Sequence, residues 1–169
     1  MNDYLHDMKI VQEYANENRT VMAKRIVEES IGLDFDKLNK FQTIHNYIDL
    51  DNMILRKGAI SAQKDEKVLI PINMRDGSIL AKGKGNINWN CSAPHGAGRL
   101  LSRKDAKGKF TLEEFEESMK DIYTSSVNES TIDEAPMAYK DIEEILENTK
   151  DTIEVIDILK PIYNFKSSK

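Results

Sequence analysis

The sequence predicts a mixed α/β fold of the α+β kind: a long N-terminal helix, a central β-rich segment, then C-terminal helices closed by a final strand. Three observations carry this expectation. Apolar residues recur at helical spacing over residues 3–30; short apolar runs separated by glycine or charged turns fill residues 52–89; and helical spacing returns after Arg103. A chain of 169 residues falls within one domain, read as helical over 1–44, β-rich over 45–104, and helical with a terminal strand over 105–169.

In the first helix Leu5, Met8, Val11, Ala15, Met22 and Ile26, with Tyr14, form the expected apolar face, and Asn16, Asn18 and Arg19 a solvated one or else part of the site's lining. Asn2 or Asp3 caps its start and Gly32 marks its stop. Residues 35–41 read as a short helix or an irregular connection. Met53–Leu55, Ala59–Ser61, Val68–Ile70 and Ser78–Leu80 read as strands, with turns at Lys57-Gly58, at 63–67 and at Arg75-Asp76-Gly77. Thr111-Leu112-Glu113-Glu114 is a capping box opening a helix that continues through Phe115, Met119 and Ile122. Residues 128–136 read as a polar loop, 139–148 as a helix, and 152–165 as a strand that Pro161 interrupts.

Composition is that of an ordinary globular chain, 40% apolar and 31% charged, so a disordered or collagenous protein is excluded. Cys91 is the only cysteine; no internal disulfide can form, the simplest compartment is the cytoplasm, and the thiol reads as a packing residue. No apolar run reaches membrane-spanning length, and the acidic start lacks a signal-peptide pattern, so no membrane partner is expected. The net charge of −5 hides a strong partition: residues 52–109 are net +8, flanked by segments of net −4 and −9. A basic middle on an acidic chain fits a local polyanion site, or else a cluster of solvated lysines.

The chemistry concentrates in Asn88 to Arg103, with its core at His95-Gly96-Ala97-Gly98-Arg99. Pro94 holds Ala93 extended, so His95 leaves a strand or enters a turn. Gly96 and Gly98 let backbone N–H groups face an anion closely, while Arg99 and Arg103 can fork onto phosphate oxygens. The segment reads as a phosphate site with a nitrogen nucleophile beside it, or as a glycine turn with a surface histidine. Gly83-Lys84-Gly85-Asn86 is no Walker loop, because no Lys-Ser/Thr pair opens a helix after it.

The run from Ala93 to Arg103 resembles the active-site histidine segment of RtcB-type RNA-splicing ligases, the GTP-dependent enzymes that join RNA 3′-phosphate and 5′-hydroxyl ends. His45-Asn46-Tyr47, Arg56-Lys57-Gly58-Ala59, Ile70-Pro71 with Met74, Pro136 to Ile142, and Lys166 resemble further family segments in the family's order. The resemblance spans essentially the whole chain but only the C-terminal portion of a family member, and so implies an incomplete RtcB-like fold.

It implies that His95 is guanylylated by GTP and passes GMP to an RNA 3′-phosphate, or to an end derived from a 2′,3′-cyclic phosphate, in tRNA splicing or RNA repair. It implies guanylate contacts at His45, Asn46, Pro71, Ile72, Asn73, Met74, Ser78, His95, Gly96, Ala97, Gly98 and Lys166, with Tyr139 stacking on guanine. It implies Mn²⁺ at His45, and RNA or phosphate contacts at Arg56, Lys57, Arg99 and Arg103. The family's other metal ligands belong to an N-terminal portion, which becomes an expected partner. The chain departs from the family at Ile72-Asn73, where several members have Gly-Ser. A non-catalytic GTP- or RNA-binding fragment, or a protein that binds an intact ligase, is the alternative.

Overall fold

The computed structural model describes residues 2–166. Helix α1 runs Asn2–Arg25 and continues as a π-helical turn over Ile26–Ile31, where Gly32 ends it in the left-handed conformation, φ 76°. The stripe it half-covers includes Leu5, Met8, Gln12, Ala15, Arg19 and Val27, with Asn16, Thr20 and Lys24 beside it. Val11, Tyr14, Met22 and Ile26, expected on the covered face, are instead exposed. Polar contacts fix the covered stripe: the Gln12 side-chain oxygen accepts from Ile48 N (2.8 Å), and Arg19 Nε donates to Gln42 (3.0 Å). Arg19 is therefore tied to the following segment rather than solvated.

Two antiparallel three-stranded sheets follow. One has the order β1-β2-β5, from His45–Asp49, Ile54–Ser61 and Ser92–Pro94; the other has the order β3-β4-β6, from Lys67–Asn73, Gly77–Gly83 and Ile153–Leu159. The two runs expected as separate strands around Lys57-Gly58 form the single strand β2. Gly58 lies inside it at φ 67°, where pairing shifts between His45↔Ile60 and Tyr47↔Arg56. That irregularity, rather than a turn, is what glycine supplies there. β6 stops at Leu159, before Pro161, because proline cannot continue the ladder.

The main core joins both sheets and α4 (Ile142–Thr149): Ile60, Val68, Ile70, Ile72, Ile79, Ala93, Ala97, Ile145 and Ile153 are all buried in one cluster. A second cluster gathers Met74, Phe115, Met119, Ile132 and Ala135 beneath α3 (Leu112–Ser118), which has the expected Thr111/Glu114 capping box. The segment after Asn128 is a 3₁₀ turn, Glu129–Glu134, rather than an open polar loop, and it buries Thr131, Ile132 and Asp133. Tyr139 precedes α4 instead of starting it. Short helix α2, Arg103–Lys109, is capped by Ser102.

Candidate active site

The His95 loop is held by backbone. Ala97 N donates to Pro71 O (3.2 Å), which docks the loop against β3, an edge strand on which Pro71 costs no ladder bond. A Cβ on Gly96 would lie 3.2 Å from that same carbonyl, and Gly98 has φ 75°. These are the two glycines whose backbone freedom the loop uses. Ala97 is buried in the core, while His95 and Gly98 remain exposed.

A cleft of about 760 Å³ opens in front of the loop. It is lined by Pro71, Ile72, Asn73, Met74, Gly77, Ser78, His95 through Arg99, Arg103, Glu134, Tyr139, Leu159 to Pro161, Asn164 and Lys166. The structure thus brings together the two segments 71–78 and 95–99 with Tyr139 and Lys166, all far apart in sequence. His45 and Asn46 do not line this cleft. They border a neighbouring depression of about 580 Å³ between α1 and β1, yet the His45 ring lies 4.9 Å from the His95 ring, centroid to centroid.

Lys166 reaches the cleft because the C-terminal tail is pinned at three points. Asn164 Nδ2 donates to Met74 O (2.7 Å), Asn164 N to Tyr123 O (3.2 Å), and Lys166 N to Ser126 Oγ (2.7 Å). Lys166 Nζ then pairs with Glu134 at 3.4 Å.

His95 Nδ1 lies 2.7 Å from Gly58 O, and a carbonyl can only accept, so Nδ1 is the donor and the neutral ring carries its lone pair on Nε2. Gly58 N in turn donates to Asn46 Oδ1 at 2.7 Å.

Several expected ligand contacts are occupied internally. Arg56 is 2% exposed; it donates to Ser92 Oγ (3.0 Å), Tyr47 Oη (3.0 Å) and Asp49 Oδ2 (2.7 Å), so its guanidinium is committed to internal partners. This corrects the reading of Arg56 as an RNA candidate: its partners lie upstream and downstream of any local motif. Lys57 is exposed and faces a separate groove of about 390 Å³ beside Trp89. Arg99 donates to Leu101 O, to Tyr139 Oη and to the Asp133 carbonyl, while Arg103, exposed, pairs with Asp133 (3.1 Å) and Glu134 (3.1 Å).

Glu134 therefore stands at the centre of a cationic cluster, and sequence reasoning missed it. Burial alone would raise its pKa, but the Tyr139 hydroxyl and the charges of Lys166 and Arg103 outweigh that and hold it below the usual carboxylate range. Burial, then the Glu134 carboxylate, push the Tyr139 phenol up to about 12. Tyr139 is half-buried and packed against the core, with its hydroxyl committed to Glu134 (2.7 Å).

Ile72 is 3% exposed with its side chain in the core, so only its backbone faces the cleft. The Asn73 side chain closes the β3–β4 hairpin: its Oδ1 accepts from Arg75 N and Asp76 N, and its Nδ2 donates to Asp76. Cys91 is half-exposed at φ 45°, and its carbonyl receives Ala62 N (2.8 Å).

Among the described residues, no three His, Cys, Asp or Glu donors converge at His95. Among the described residues, the one group of three converging potential ligands is Glu28, Asp34 and Asp36, all exposed and carried on the end of α1 and the segment after it. Also among the described residues, no helix is long and apolar enough to cross a membrane.

The model of the family described as "tRNA-splicing ligase RtcB" matches residues 1–167. The "RNA-splicing ligase RtcB" of Escherichia coli strain K12 is 32% identical over 175 residues, covering 95% of this chain and 43% of that protein. The "tRNA-splicing ligase RtcB" of Aeropyrum pernix is 40% identical over 85 residues, covering 47% of this chain and 18% of its own length. That of Nanoarchaeum equitans is 29% identical over 158 residues, 76% of this chain and 32% of its own length. The chain thus spans less than half the length of these relatives.

Proposed function

Since the chain belongs to the tRNA-splicing ligase RtcB family, we propose that it carries the guanylylation centre of an RNA ligase that joins 3′-phosphate and 5′-hydroxyl ends through a histidine–GMP intermediate. The observation that carries this reading is His95. Its Nδ1–H is committed to Gly58 O, which leaves the Nε2 lone pair as the nucleophile beside a cleft of nucleotide size.

The chemistry is covalent nucleotidyl transfer. Nε2 of His95 attacks the α-phosphorus of GTP, an N–P bond forms, and pyrophosphate departs with the electrons of the Pα–O bond. A 3′-phosphate oxygen of RNA, generated from a 2′,3′-cyclic end where necessary, takes the guanylyl group and returns the lone pair to Nε2. The 5′-hydroxyl then attacks the activated 3′-phosphorus, and GMP leaves. As the N–P bond forms, the ring becomes cationic, and the Gly58 carbonyl stabilises that charge through the Nδ1–H bond. Backbone N–H groups of Gly96 and Gly98, with Lys166, offset phosphate charge, while that of Ala97 holds the loop on Pro71 O. Pro71 to Met74 and Ser78 form the opposite wall for the guanosine, Ile72 through its backbone. The aromatic ring of Tyr139 borders the base. Arg99 and Arg103, held by Asp133 and Glu134, and exposed Lys57 are the RNA-phosphate candidates.

Mn²⁺ is the family's expected metal, and among the described residues His45, whose ring lies 4.9 Å from that of His95, would be its ligand. One imidazole does not hold a divalent ion. We assign the remaining ligands to the part of the family's length that this chain does not match. The same shortfall supports a second reading, in which this polypeptide by itself binds GTP or RNA without turnover. α1 presents Tyr4, Ile10, Val11, Tyr14, Val21 and Met22 to solvent, an apolar surface that the complementary portion would cover.

Labelled GTP separates the readings. Acid-labile label on wild-type protein and none on His95→Ala, with Mn²⁺ and the N-terminal portion of a family member supplied, is the expected result. Nucleotide binding without covalent label under those conditions would favour the non-catalytic reading.

A further inference from the structure

We propose that the groove beside Trp89 binds an unpaired nucleobase of the RNA strand that enters the His95 cleft, with Lys57 on that strand's phosphate. The inference rests on the RNA-ligase reading for the identity of the strand. The groove, of about 390 Å³, is separate from the His95 cleft but shares its framework. Ser92, Ala93 and Pro94 of β5 line the groove, and the next residue, His95, lines the cleft. The same division holds on β2, where Gly58 O holds the His95 ring while Lys57 and Ala59, on either side of it, line the groove. Adjacent backbone positions on two paired strands thus connect the reacting imidazole to the groove.

Trp89 is the chain's only tryptophan, and it is 59% exposed at the end of a 3₁₀ turn, Ile87–Trp89. The fold gains little from a large apolar ring left in water. The turn that presents it is also strained: Asn90 and Cys91 follow at φ 49° and 45°, two successive non-glycine residues in the left-handed region. Such backbone is disfavoured and clusters at binding sites. Long-range contacts hold it in place. Asn86 O accepts from Trp89 N (3.1 Å) and Cys91 N (3.0 Å), Asn86 Nδ2 donates to Asp151 O (3.0 Å), and buried Arg56 reaches the Asn90 and Cys91 carbonyls at 3.5 Å. The ring is therefore a fixed platform on which a base can stack. The other walls fit the rest of a nucleotide. Lys57 is exposed, Asn90 and Asn148 offer amide groups to a base edge, and among the described residues no carboxylate lines the groove. An aromatic face beside an unopposed cation, within a segment of net +8, suits a polyanion with unpaired bases.

Because Trp89 is the only tryptophan, its fluorescence reads the groove alone. The 169-residue chain is titrated with a short single-stranded RNA ending in a 3′-phosphate, with the same RNA as a duplex, and with inorganic polyphosphate as a charge-only probe. The single strand should quench Trp89, while the duplex and polyphosphate, which offer no unpaired base, should leave it nearly unchanged. Trp89→Ala should weaken binding of the single strand, read by anisotropy of labelled RNA, about 5- to 100-fold, the worth of one stacked base, and Trp89→Phe should recover most of the loss. Lys57→Gln should lower the slope of log affinity against log salt by about 0.7. No quenching by the single strand, an equal response to duplex or polyphosphate, or equal RNA affinity in wild type and Trp89→Ala overturns the proposal. So does a Trp89 emission that moves to the blue and stops responding to RNA once the N-terminal portion of a family member is added, which would make the groove an internal interface. Covalent GMP on a protein whose Trp89 ignores RNA would sink the groove and leave the ligase reading; a quenched Trp89 on a protein that never takes GMP would do the reverse.

Discussion

The Tyr139 hydroxyl donates to Glu134 Oε2 across 2.7 Å, and Lys166 Nζ approaches the same oxygen at 3.4 Å. The other carboxylate oxygen takes Arg103 at 3.1 Å and Arg99 at 3.8 Å. One acidic side chain therefore aligns a phenol and three cations along one wall of the cleft. Glu134→Gln should lower the Tyr139 pKa from about 12 toward its ordinary value of 10, though not fully, because burial remains its largest cause. Tyrosinate absorbance, with Tyr139→Phe as the reference, reads this. An unchanged titration would mean that the carboxylate contributes nothing to it.

The same shift makes an alkaline stability prediction. A phenol whose folded pKa is raised stabilises the fold fully below its unfolded pKa. Between about pH 10 and 12 the unfolded chain gives up that proton first, so stability falls as pH rises through this window. Tyr139→Phe should flatten that part of the profile, measured by denaturant unfolding.

Arg56 and Asp49 form an ion pair at 2.7 Å with side chains 1% and 12% exposed. Arg56→Met removes the guanidinium and strands Asp49 without its cation, and should cost about 3–5 kcal/mol. Burial would raise the Asp49 pKa, but hydrogen bonds from Arg56 and Asn52 outweigh it and lower the value. Its contribution is therefore present above the ordinary carboxylate range and is lost as pH falls through the folded pKa. Acid unfolding of Arg56→Met should lack that component. Guanylylation per folded molecule should be unchanged, because Arg56 does not line the His95 cleft.

Gly77→Ala should be strongly destabilising. The residue sits at φ 84°, and an added Cβ would lie 2.0 Å from Leu159 O, so the β3–β4 hairpin would have to leave β6. The loss should exceed the roughly 1–3 kcal/mol typical of overpacking alone. A thermal midpoint near wild type would refute the close approach.

His95→Ala should leave the fold within about 0.5 kcal/mol of wild type, since the ring is exposed, while abolishing covalent GMP. His45→Ala should retain the fold as well and weaken any Mn²⁺ dependence of labelling in the reconstituted ligase. Label that persisted on His95→Ala would remove the nucleophile assignment.

Much of this was legible along the chain because it is local. Helical and alternating periodicities mark α1 and the β-rich middle, the Thr111 capping box marks α3, and the H-G-x-G segment marks a glycine loop after a strand. Ordered family segments named the two walls of the cleft, and the structure brings 71–78, 95–99, Tyr139 and Lys166 to one place. Where the reading failed, a long-range partner decided. Arg56 looks like a phosphate ligand beside Lys57 until Asp49, Tyr47 and Ser92 enclose it. Lys57-Gly58 looks like a turn until β1 pairs across it. Val11 and Tyr14 look like core until the packing of α1 against 42–48 selects another stripe.

The sequence by itself determined which groups are available: an imidazole on a glycine loop, a basic middle, and a lysine near the end of the chain. Only the tertiary structure decided which nitrogen of His95 is free, which cations Glu134 holds, and that Asn46 reaches His95 through Gly58. The physical reason is reach. Periodicity and turn chemistry act over a few residues, whereas a tautomer or an ion pair is set by atoms about 3 Å apart whose residues lie 12 to 37 positions apart in the chain.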